Sequence, residues 1–106
     1  MIIAKNRFNN VKEQVKELVK NKEIVINEDC VILWGYEYYY TIDKNKIKII
    51  LNSYETFVLN IEVDEENVIV LESVCNGKKC KSDRALNKFS KIISVFYPLY
   101  DLKLIK

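Results

Sequence analysis

The sequence predicts an α+β domain: an antiparallel meander of four to five strands, with an N-terminal and a C-terminal helix packed on one face as a two-layer sandwich. Three observations carry that prediction. Apolar residues recur at helical spacing near both ends, at Phe8, Val11, Val15, Leu18 and Val19, and again at Ala85, Leu86, Phe89, Ile92, Ile93 and Phe96. Between them, from Ile24 to Cys75, the apolar period is two. The polar stretches that separate those runs are short, so successive strands must be antiparallel neighbours.

The elements follow in order. Residues 1–5 read as a short extended segment or a disordered start. Asn10 with Glu13 has capping-box spacing and marks a helix over about residues 7–21, with Glu13–Lys16 and Glu17–Lys20 as supporting pairs. A short strand at about 24–27 is closed by Asn27-Glu28-Asp29. The run at about 31–43 reads as one central strand, rich in aromatic and β-branched residues. One side carries Ile32, Trp34, Tyr36, Tyr38, Tyr40 and Ile42 and is expected to face the helices. The other carries Val31, Leu33, Gly35, Glu37, Tyr39, Thr41 and Asp43.

Asp43-Lys44-Asn45-Lys46 reads as a hairpin turn. In the strand at about 46–52, Ile47, Ile49 and Leu51 alternate with Lys46, Lys48, Ile50 and Asn52. A turn at 52–55 leads to a strand at about 56–64, with Phe57, Leu59, Ile61 and Val63 inward. Asp64-Glu65-Glu66-Asn67 turns into a strand at about 67–75, apolar on both sides at its start. Asn76-Gly77-Lys78-Lys79-Cys80-Lys81 reads as a loop. Ser82 or Asp83 caps a helix at about 82–97, which Pro98 is expected to end. Residues 99–106 make one more strand or a tail packed on the body.

A chain of 106 residues is a single domain, spanning 1–106, and can bury a core without staples. With 49% hydrophobic and 30% charged residues it has a globular composition. No apolar run reaches the roughly 20 residues that span a bilayer, and no N-terminal stretch resembles a signal peptide. The expected setting is the cytoplasm, or a host's cytoplasm if the chain is viral. The Lys, Ile, Asn and Tyr bias is that of an AT-rich genome, and the scarcity of Gln leans towards an archaeon or an archaeal virus. The many Asn residues run against a thermophilic source.

Seventeen basic and 15 acidic residues give a net charge of +2, too even to announce a nucleic-acid binder. Only Arg7 and Arg84 are arginines, which removes most bidentate base and phosphate readers. There is no histidine, hence neither the commonest general base nor the commonest metal ligand. Cys30, Cys75 and Cys80 fall short of a four-ligand zinc site. No cofactor motif is present, so no metal, cofactor or catalytic residue is expected.

Four features are candidates for function. The aromatic row Trp34, Tyr36, Tyr38 and Tyr40 is a core layer under the helices, a base-stacking platform or a pocket lining. Leu33, Tyr39, Ile50 and Val58 leave apolar patches on a face otherwise carrying Glu37, Lys48, Asn60 and Glu62. An uncovered face of that kind suits a protein partner or a homodimer. As the alternative, Lys46, Lys48, Lys78, Lys79, Lys81 and Arg84 would contact nucleic-acid phosphate, the last four around a helix N-terminus. Cys75 and Cys80 flank a short loop and either form a disulfide or leave Cys75 as a small core residue. The turn carboxylates Glu28-Asp29 and Asp64-Glu65-Glu66 read as solvated.

Overall fold

The architecture is that of a computed structural model, which describes residues 1–52, 56–80 and 83–106. The chain runs β1 (Ile2–Ala4), a 3-10 turn (Lys5–Phe8), α1 (Asn9–Lys20), β2 (Ile24–Ile26), β3 (Cys30–Leu33) and β4 (Tyr36–Asp43). It continues through β5 (Lys46–Asn52), β6 (Thr56–Val63), β7 (Asn67–Cys75) and β8 (Lys78–Lys79) to α2 (Asp83–Asp101). The strands form one sheet in the order β1-β7-β6-β5-β4-β3-β2, with β8 also paired to β7. All of these pairings are antiparallel. The α+β class with both helices on the sheet is therefore the fold. The strand count exceeds the expected four to five because two short edge strands and one extra hairpin join the meander.

Alternation puts Ile47, Ile49 and Leu51 of β5, and Phe57, Leu59, Ile61 and Val63 of β6, in the core as their period of two requires. The helices cover this face. Phe96 of α2 lies edge-on to Tyr38 and Tyr40 at 6.2 and 6.1 Å between ring centroids, and Phe89 meets Phe57 at 5.8 Å. Phe8 packs on Tyr97 at 4.9 Å, and Lys12 Nζ reaches Asp101 Oδ2 at 2.7 Å, tying α1 to α2. Burial, reinforced by the Asp101 carboxylate, pushes the Tyr97 hydroxyl up to about 12.

The expected strand at 31–43 is two strands. Trp34 and Gly35 both take positive φ, 55° and 79°, the backbone of a two-residue type I′ turn whose twist matches that of a hairpin. Leu33 therefore pairs with Tyr36 and Val31 with Tyr38. This reverses the parity of the first half of the run. Val31 and Leu33 join Tyr38 and Tyr40 on the covered face, while Ile32 joins Glu37 and Tyr39 on the other. Leu33 is fully buried, so its expected place on the open face is corrected. Trp34 stands at the hairpin tip, about half exposed, edge-on to Tyr38.

Other boundaries differ for local reasons. The 3-10 turn starts the first helix at Lys5, and no side chain caps the start of α1, so the capping-box reading of Asn10 does not hold. Asn76-Gly77 is a second positive-φ pair, at 52° and 80°, and makes a hairpin of β7 and β8 where a loop was expected. Pro98 lies inside α2 rather than ending it. The helix instead closes at a Schellman motif: Lys103 adopts φ 58°, Lys103 N–H donates to Tyr100 O, and Leu104 N–H to Leu99 O. Residues 99–106 are thus helix end and tail, not a strand. The end of α1 uses the same device around Lys22, at φ 62°. The turn at 53–55 and the Ser82 cap lie outside the described residues. Among the described residues no helix is long and apolar enough to cross a membrane.

Candidate functional site

The sheet face opposite the helices carries no other described element. Register fixes what it presents. Cys30, Tyr39, Ile50, Val58, Val74 and Lys79 are successive cross-strand partners from β3 to β8. Directly paired residues share a face, so this is one continuous row. Its centre, from Tyr39 to Val74, is apolar and spans four strands. Three of the four expected interface residues, Tyr39, Ile50 and Val58, are therefore brought side by side; Leu33 is not. Tyr39 is 40% exposed, whereas Ile50 and Val58 are half-buried by their neighbours.

The next row is polar: Thr41, Lys48, Asn60 and Glu72 are partners across β4 to β7. The two rows differ because β5 and β6 each carry one apolar residue, Ile50 and Val58, among polar positions of the same parity. Val74 reaches this face through a β-bulge. The register between β6 and β7 shifts after Asn60, where Leu71 is the extra residue between Val70 and Glu72. Val68 on one side of the bulge is buried, and Val74 on the other shares a face with Val58. The even-numbered positions of β7 thus change face part-way, and Leu71 is left about half exposed.

Between β4 and the β7–β8 hairpin lies a groove of about 680 Å³, lined among others by Thr41, Lys48, Asn60, Leu71, Val74 and Lys79. Lys46 and Asp43 line it too, as does Glu72, whose Oε2 accepts from Asn60 Nδ2 at 3.3 Å. Three ammonium groups and two carboxylates leave the groove only mildly cationic. Of the expected basic set, Lys46, Lys48 and Lys79 converge here. Lys78 pairs with Cys75 in register, so it shares the opposite face of its hairpin. Lys81 lies outside the described residues, as does the side chain of Arg84.

Beside the row, Tyr39 donates its hydroxyl hydrogen to Glu37 Oε2 at 2.8 Å; that bond and the carboxylate charge raise its pKa. Cys30 is buried at the end of the row, with Asn27 Nδ2 3.6 Å from its Sγ. Tyr38 and Tyr40 are core residues under α2, and burial raises both hydroxyls. Their rings are unavailable for stacking on a ligand. Asp64 Oδ1 accepts from the backbone N–H groups of Asn67 and Glu66, which lowers its pKa and makes it a turn-forming carboxylate. Cys75 and Cys80 are joined as a disulfide, with Cα atoms 5.4 Å apart. No set of three His, Cys, Asp or Glu side chains among the described residues is grouped to hold a metal ion.

Sequence reasoning missed Leu71, Val74, Thr41 and Glu72. The β8 strand had a usable signal, since Asn-Gly after a β-prone run announces a hairpin; the face taken by Val74 had none, because the bulge sets it. Leu71 had none, since a bulge is set by how two strands meet. No protein-family model matches the chain, and no match was found among curated proteins or solved structures.

Proposed function

We propose that this chain is a small non-enzymatic interaction protein. Its open sheet face binds a protein partner or a second copy of itself, with Tyr39, Ile50 and Val58 at the centre of the contact. The observation that supports this reading is the unbroken apolar row from Tyr39 to Val74 on a face that no other described element covers. Aromatic and aliphatic residues grouped among polar ones are the composition of an interface core with a wet rim. The reading keeps the chain inside a cell.

The test is sedimentation equilibrium of the wild type and of Ile50→Lys and Val58→Lys, with cross-linked partner capture beside it. The expected result is association, with itself or with a captured protein, that either lysine abolishes while the fold is kept. A wild type that stays monomeric at high concentration and captures nothing overturns the proposal.

The second reading, nucleic-acid binding, rests on the convergence of Lys46, Lys48 and Lys79 on the groove. Asp43 and Glu72 in the same groove weigh against it, as does the loss of Tyr38 and Tyr40 to the core. Fluorescence anisotropy against salt decides it. Three lysine–phosphate contacts predict log K falling with log salt at a slope of roughly −2 to −3. Binding that is absent or indifferent to salt removes this reading.

A further inference from the structure

We infer that the Cys75–Cys80 disulfide is a redox clamp on the groove, closed when oxidised and released by a dithiol. This inference rests on the reading of the open face as a binding surface and concerns its regulation. β8 is only two residues long, and its register with β7 consists of Val74↔Lys79 and Cys75↔Lys78. A two-residue edge strand is too short to hold itself in place in water. Around it are the bonds Cys80 N–H to Ser73 O at 3.1 Å and Asn76 N–H to Thr56 O at 2.8 Å.

The disulfide joins the two strands on one side of this hairpin, where Cys75 pairs with the buried Phe57. On the other side the same hairpin supplies Val74, Gly77 and Lys79 to the groove. The bond that stabilises β8 is thus the bond that sets one side of the groove. Both cysteines are only partly buried, so a reductant can reach them. Lys78, the register partner of Cys75, places a cation on the disulfide's side of the hairpin, where it favours the thiolate leaving group that exchange requires.

The chemistry balances as ordinary exchange. A thiolate of the dithiol attacks one sulfur, breaks the Cys75–Cys80 bond and forms a mixed disulfide. The second thiol of the reductant displaces it and leaves as the oxidised, disulfide form. Two electrons and two protons end on Cys75 and Cys80. Cys30 takes no part, being buried on the opposite face beside Asn27.

The experiment is hydrogen exchange on the full chain, oxidised and after dithiothreitol, with thiol titration of each sample. Expected are two titratable thiols gained on reduction without denaturant. Exchange across Ser73–Cys80 should accelerate by about tenfold or more, while β5 and β6 change by less than about twofold. Cys75→Ser/Cys80→Ser should show the fast pattern without reductant and no response to it. Unchanged protection on reduction overturns the clamp. So does loss of protection throughout the sheet, which marks a global staple, or a disulfide that dithiothreitol opens only in denaturant. These readouts need no binding partner, so failure of the interaction reading leaves them intact and separately interpretable.

Discussion

The two faces of this sheet are built from the same strands and obey different rules. On the covered face every position of β5 and β6 with the inward parity is an apolar residue no more than 7% exposed. On the open face the same strands mix Lys46, Lys48, Asn60 and Glu62 with Ile50 and Val58. Close packing leaves the first face no tolerance for a change of shape. Water beside the second tolerates nearly any side chain, so an apolar row kept there is the feature that needs an explanation. The contrast teaches that the covered face carries stability and the open face is free to carry recognition.

The sharpest way to break that contrast is Phe96→Ala. It removes the ring between Tyr38 and Tyr40 and should cost about 3–5 kcal/mol by urea denaturation. Val58→Lys, on the open face, should cost less than about 1 kcal/mol in the same assay. Comparable losses from the two would remove the distinction between the faces.

Alkaline titration probes the covering layer from another side. Tyr97 ionises near its ordinary value of 10 in the unfolded chain but only at about 12 in the fold. Its neutral form is therefore favoured by folding. Stability is full below pH 10 and should fall by about 1.4 kcal/mol per unit between 10 and 12. Tyr97→Phe should flatten that stretch of the stability–pH curve.

Smaller effects lie at the helix ends. Lys22 and Lys103 hold left-handed backbone that glycine adopts without strain. Lys22→Gly and Lys103→Gly should each raise stability by about 0.5–1 kcal/mol, seen as a higher urea midpoint. Smallest of all, Lys12→Ala removes the Lys12–Asp101 ion pair between the helices. Its partial exposure, 24% for Lys12 and 39% for Asp101, makes it worth less than about 1 kcal/mol, and salt should shrink the difference.

Periodicity alone made the two helices, the meander and the inward faces of β5 and β6 legible, because each depends on residues close in sequence. Where periodicity was carried across a turn it misled. Trp34-Gly35 contains no polar turn residue, so the run through it reads as one strand, and Leu33 is placed on the wrong face. One two-residue turn reverses parity, and a strand has only two faces to exchange.

What the sequence by itself determined is therefore the class of the fold, most of its core and the residual apolar character at Tyr39, Ile50 and Val58. Only the tertiary structure decided that these three form one row, that a bulge at Leu71 extends it to Val74, and that the disulfide hairpin borders the groove. It also carried the chain from β1 at one edge, through α1, to β2 at the other, leaving β7 to return beside β1. These are register and long-range pairing. They are decided by how strands meet across the sheet, and that information is spread over partners far apart in the chain.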